Sequence, residues 1–160
     1  MGSRHHGPAE EKRALDALVK LVRCASSVQA RLEPALRAEG FTGNQFGVLE
    51  ALLHLGPLEP CQLGPKLLTS RPNVILLVDQ LEERGLVRRA AVPGDRRRVR
   101  VELTRVGKRV IASAFAGHAR RVVRELSILS AGEQQALASL CRRLGRKLDP
   151  ESGEGGRRPG

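Results

Sequence analysis

The chain has 160 residues, 41% hydrophobic and 28% charged, which suits one globular domain with appendages. Its 28 basic against 17 acidic side chains leave +11, and 23 of the bases are arginine, so a polyanionic partner is expected, nucleic acid ahead of an acidic membrane surface. Three phenylalanines without tryptophan or tyrosine argue against stacking readers of single strands, and no apolar run approaches the length of a membrane span.

Residues 1–9 are rich in Gly, His and Pro, and 149–160 in Pro, Gly and charge; both read as poorly ordered tails. The opening MGSRHHGPAEEKR has no secretory apolar stretch, and His6 breaks the myristoylation pattern, so a cytoplasmic protein is expected. From about 10 to 40, Leu15, Leu18, Val22, Ala25, Leu32 and Leu36 recur at helical spacing, and Val19, Leu21 and Val28 widen the stripe towards two partners. Pro34 should kink or restart that helix.

Thr42 and Gln45 form a capping box for a helix carrying Phe46, Leu49, Leu52 and Leu53 and ending near Gly56–Pro57. A short helix from about Pro60 to Leu67 follows. Ser70 then caps another, with Pro72 in its first turn and Gly85 as its stop. Val74, Leu77, Val78 and Leu81 mark the core face of that helix. The period then changes to 2. Leu86–Val92 is strand-like, Pro93-Gly94-Asp95 is a turn, and Val99, Val101 and Leu103 alternate with polar residues, giving a hairpin. Thr104 caps a long helix through Val110, Ile111, Ala114, Phe115, His118, Val122 and Leu126. Ser130 and Glu133 box a last helix with Leu137, Leu140, Cys141, Leu144 and Leu148.

Short helix, turn, capped helix and hairpin is the order of a winged helix-turn-helix, with the helix-turn-helix at about 60–84 and the wing at 86–103, inside a lobe spanning 41–109. The fold class is mainly α with a small β-hairpin wing, and helices at 10–40 and 110–148 serve dimerisation. Between Lys66 and Arg109 stand 12 bases and five acids, which places +7 of the total +11 within 44 residues. That clustering is the footprint of a phosphate-binding surface on double-stranded DNA.

A helix fits the major groove with its first turns at the base edges. Off the core face lie Ser70, suited to phosphate; Arg71, suited to guanine or phosphate; and Asn73 and Gln80, suited to adenine. Ile75 and Leu76 share that exposed side, where contact with thymine methyls and packing under a neighbouring loop are both open. At the wing tip Arg96, Arg97 and Arg98 suit a narrow minor groove, and Asp95 is expected to brace Arg97 from two residues away.

The runs RPNVILLVDQLEERGLVRR (71–89) and PGDRRRVRVELTRVG (93–107), with FTGNQFGVLEALL (41–53) upstream, resemble the MarR (multiple-antibiotic-resistance regulator) family over roughly residues 12–148. The resemblance implies a homodimeric transcriptional regulator with interlocked terminal helices, a pseudo-palindromic operator, and release of DNA by a small anionic or phenolic ligand. The family's wing Asp and Arg map onto Asp95 and Arg97, and its recognition-helix positions onto 70–80. Where members commonly carry a polar Thr-Arg pair, this chain has Ile75-Leu76, which suggests an unusual operator preference.

Three cysteines 37 and 80 residues apart, with no CxxC pair, make neither a disulfide framework nor a zinc ribbon. Cys24 beside Arg23 is a candidate redox thiol. Peroxide-sensing relatives carry theirs at the position of Lys20, however, with tyrosines this chain lacks; core filling is the alternative reading for Cys24, and more so for Cys141. His5, His6, His54 and His118 form no metal motif, and no cofactor is expected. Without G-x-S-x-G, a Walker loop or H-E-x-x-H, the chain is not read as an enzyme. The competing class is a non-specific or architectural DNA-binding protein on the same fold.

Overall fold

The computed structural model describes residues 6–92 and 94–146. In chain order it comprises α1 (Ala9–Ala38), α2 (Gly43–Leu55), α3 (Pro60–Leu67), α4 (Arg71–Glu83), β1 (Val87–Val92), β2 (Asp95–Leu103), α5 (Arg105–Leu126) and α6 (Ala131–Arg146). Residues 1–5, Pro93, and 147–160 with Leu148 lie outside the described residues, and with them most of both expected tails.

Local signals set most helix ends. Thr42 Oγ1 accepts from the Gln45 N–H (3.2 Å) while Gln45 Oε1 accepts from the Thr42 N–H (3.1 Å), the reciprocal pair expected. Glu133 and Ser130 do the same for α6. At the end of α4 the Leu86 N–H reaches Leu81 O (3.0 Å) and the Gly85 N–H reaches Glu82 O (2.8 Å), a Schellman closure with Gly85 at φ +67°. Gly40 closes α1 in the same way, through Phe41 to Leu36 (2.9 Å). The helix does not restart at Pro34: α1 runs from Ala9 to Ala38 with Pro34 inside it, whose missing donor costs the helix a single rung instead of ending it.

The chain falls into two compact units divided between Val122 and Val123, inside α5. The core of the first unit gathers Phe46, Val48, Leu49 and Leu52 of α2, Leu63 of α3 and the four expected residues of α4. Val87, Val101 and Leu103 of the hairpin join them, and Ile111 and Ala114 bring the start of α5 into the same cluster. Nine of these side chains are fully buried, and no polar side chain of the described residues is. Burial of that apolar area is the main term holding the lobe together.

β1 and β2 pair antiparallel from Val87↔Leu103 to Ala91↔Val99, and the next pair is Val92↔Asp95. Residues 96–98, the three wing arginines, are therefore the stretch by which β2 outruns β1. Leu58 adds a short bridge to Val101, with bonds of 3.1 and 2.7 Å. Thr104 joins three elements: its hydroxyl accepts from the Gly107 N–H (2.9 Å) and lies 2.7 Å from Gly85 O, while its own N–H donates to Leu86 O (3.0 Å). Gly107 makes this seat possible, because a Cβ there would lie 1.9 Å from Leu86 O.

Away from this core the apolar stripes stay open. On α1, Leu15, Leu18 and Val22 are exposed, and on α6, Leu137, Leu140 and Leu144. Both sets follow i, i+3, i+7 spacing, one face of each helix.

Candidate nucleic-acid interface

α3 and α4 are joined by a turn at Leu68, a leucine in the left-handed region (φ +50°) that is 94% exposed. Ser70 occupies the N-cap position of α4, as expected, but its side chain makes no capping bond, so the exposed hydroxyl stays available to a phosphate. Arg71 is exposed at the first helical residue. Asn73 is half-buried and donates to Thr69 Oγ1 (2.6 Å), which restricts the amide proposed for adenine. Gln80 departs further from the sequence-based expectation. Its Oε1 accepts from Gln45 Nε2 (2.9 Å), bracing α4 against the capped start of α2. Ile75 and Leu76 are 43% and 54% exposed.

At the wing, Asp95 Oδ1 accepts the Arg97 backbone N–H (2.9 Å), so the brace expected there acts on the main chain and leaves the Arg97 guanidinium exposed. The side chain of Arg96 lies outside the described residues. Arg98 is turned to its own subunit, where it pairs with Glu59 at the start of α3 (Nε to Oε2, 3.2 Å). That hydrogen bond, and then the Glu59 charge, hold the Arg98 guanidinium above its ordinary pKa. The wing is thus tied to α3 by an arginine read from sequence as a DNA contact.

Sequence reasoning missed a second pairing. Arg89 of β1 bonds both Asp79 and Glu82 of α4. Burial works against its charge, yet those two hydrogen bonds outweigh it and raise its pKa. The partners stand seven and ten residues apart across a turn and a strand, a spacing with no local signature. Arg88 similarly bridges to Glu102 across the hairpin (2.6 Å).

Two clefts flank α5 in the first unit. One, about 660 Å³, has Phe41, Val110 and Ala114 as its floor and Arg109, Arg120 and Arg121 at its edge. Arg121 pairs with Glu39 (2.6 Å), but its Nη1 is buried without a partner, as is Glu39 Oε2. The other, about 480 Å³, is lined by Glu33, Glu50, Phe46 and His118, the last two rings 4.7 Å apart. Cys24, Cys61 and Cys141 are all exposed, so neither Cys24 nor Cys141 fills the core of this chain. Among the described residues no cluster of His, Cys, Asp and Glu could hold a metal, and no helix is long and apolar enough to cross a membrane.

Comparison with known proteins agrees with this geometry. Residues 39–98 match the MarR family. The HTH-type transcriptional regulator YkoM of Bacillus subtilis is 33% identical over 85% of this chain and 88% of its own. Among solved structures, AbsC of Streptomyces coelicolor, a MarR family transcriptional regulator, shares the fold with a TM-score of 0.80 at 19% identity, over 92% of this chain and 100% of its own. The PcaV regulator of the same organism, solved with its natural ligand, gives 0.66 at 28% identity over 77% and 89%. With its helix-turn-helix, arginine-tipped wing and flanking helices, this chain belongs to the MarR family of HTH-type transcriptional regulators.

Proposed function

We propose that the chain acts in the cytoplasm as a homodimeric repressor that reads a pseudo-palindromic duplex and lets go when a small anion binds. The observation that carries the DNA reading is the pairing of exposed groups at two places: Ser70 and Arg71 at the start of α4, and Arg97 at the wing. Such a pair suits a major groove and the minor groove beside it. The open stripes of α1 and α6 support the dimer, since apolar faces of this extent are normally covered in solution. Two recognition helices would then meet half-sites about 34–36 Å apart.

The effector is assigned to the cleft with the arginine edge. An apolar floor under three guanidinium groups, one with an unpartnered nitrogen, suits an aromatic carboxylate; the cleft lined by Glu33 and Glu50 would repel one.

Selection of bound duplexes from a random pool tests the first part. Two-fold symmetric sites bound by two chains are expected, and one chain per specific site would overturn the reading. Arg97→Ala should weaken all duplexes and lower the salt slope by about 1. Hydroxybenzoate should release the DNA from the unmodified protein and fail to do so from an Arg109→Ala, Arg120→Ala double variant.

A further inference from the structure

The outward face of α4 changes character along its length. At 3.6 residues per turn, Pro72, Leu76, Asp79 and Glu83 stand opposite the buried Val74, Leu77, Val78 and Leu81, with Ile75 beside them. The rear of that face is acidic, and Arg89 is spent on Asp79 and Glu82 instead of facing outward. One arginine against Asp79, Glu82 and Glu83 leaves that end net negative, which suits the first two turns of α4 to a duplex better than the rear. Those turns are ringed by Arg71 and Ser70, with Arg97 exposed on the wing, which is the charge a duplex requires.

Within that ring two of the side chains able to hydrogen-bond bases are partly engaged, each through one atom. Asn73 holds Thr69, and Gln80 holds Gln45. What remains in front is apolar: Ile75 and Leu76, 43% and 54% exposed. Among the base edges of the major groove a single group is apolar, the C5 methyl of thymine.

We propose that Ile75 and Leu76 read thymine methyl groups, so that under the first turns of α4 the placement of thymines specifies the duplex. This rests on the DNA reading above and names its specificity. Adjacent residues on a helix diverge by about 100°, so the two side chains address different base pairs. The charged frame supplies affinity that is indifferent to sequence; the aliphatic pair supplies the choice.

The test uses the full chain and the duplex recovered by selection. Each thymine is replaced in turn by deoxyuridine, which removes the methyl and keeps the base pair. At one or two positions per half-site the affinity should fall roughly fourfold, the effect of one methyl withdrawn from an apolar contact. In Ile75→Ala and Leu76→Ala, whose wild-type side chains are exposed and whose folding is checked by circular dichroism, the deoxyuridine penalty should shrink to within twofold at the position the replaced side chain reads and persist at the other. Wild-type protein that binds every deoxyuridine duplex as tightly as the thymine one overturns the proposal. So does a deoxyuridine penalty that survives undiminished in both variants, since the methyl would then be sensed elsewhere. A selection that recovers no preferred duplex overturns the reading of DNA recognition itself, a distinguishable failure.

Discussion

Replacing Gly107 with alanine tests how α5 is seated on the winged lobe. The added methyl would lie 1.9 Å from Leu86 O, 2.8 Å from Leu86 C and 3.2 Å from its Cα, all main-chain atoms that no rotamer change can move. A relaxed carbon–oxygen contact is about 3.3 Å, so α5 must retreat by about 1.4 Å. That retreat breaks the bonds from Thr104 N–H to Leu86 O (3.0 Å) and from the Thr104 hydroxyl to Gly85 O (2.7 Å). Two such bonds are worth about 2 kcal/mol and the strained contact about 1–3 kcal/mol, while alanine's better helix propensity returns about 1 kcal/mol. The net loss is about 2–4 kcal/mol. Urea unfolding at fixed protein concentration reads it: with a slope of about 2 kcal/mol per molar, the midpoint should fall by about 1–2 M. Gly132→Ala in α6 is the control, because an added Cβ there meets nothing within 4 Å, and its midpoint should stay level or rise. A Gly107→Ala protein within about 0.5 kcal/mol of wild type would refute the backbone-to-backbone seat.

Three more outcomes are expected. Asp95→Asn and Asp95→Ala both remove the charge, but only asparagine keeps an acceptor for the Arg97 N–H; in a binding titration the alanine variant should be about three- to tenfold weaker than the asparagine one. Leu68→Gly relieves a left-handed leucine that buries almost nothing, and should raise stability by about 0.5–1 kcal/mol in the same urea assay once glycine's backbone entropy is deducted. Glu133 is held below the ordinary carboxylate pKa by the Ser130 hydroxyl and then the Ser130 N–H. Its stabilising effect is therefore present above the unfolded value and lost as pH falls through the folded one. Stability measured against a Glu133→Gln variant should show a difference that vanishes on acidification.

Much of this architecture could be read in the sequence because its signals are local. The boxes at Thr42–Gln45 and Ser130–Glu133, the stop at Gly85 and the four apolar residues of α4 each involve groups within a turn or two of one another, so spacing alone carries them. The interface was only partly legible. Arg98 looked free until Glu59, 39 residues earlier, was found beside it, and Gln80 looked groove-facing until Gln45, 35 residues away, took its carbonyl. Those partners are chosen by the packing of α2, α3 and α4 into one core, which no periodicity encodes. Asp95 lay between these cases: its range was right, but it reached the main chain instead of the guanidinium.

The knot at Thr104 has a mechanical consequence. It clips the C-terminal end of α4 to the root of α5 through hydrogen bonds of 2.7 and 3.0 Å. The α4 helix has 13 residues, so its leading end stands about 20 Å from the clip. A rocking of about 5° at the root then sweeps the leading end sideways by about 1.7 Å, enough to carry a contact at 2.9 Å out of bonding range. If α4 sits in a groove as proposed, a movement too small to disturb the interior of the lobe would be enough to release it.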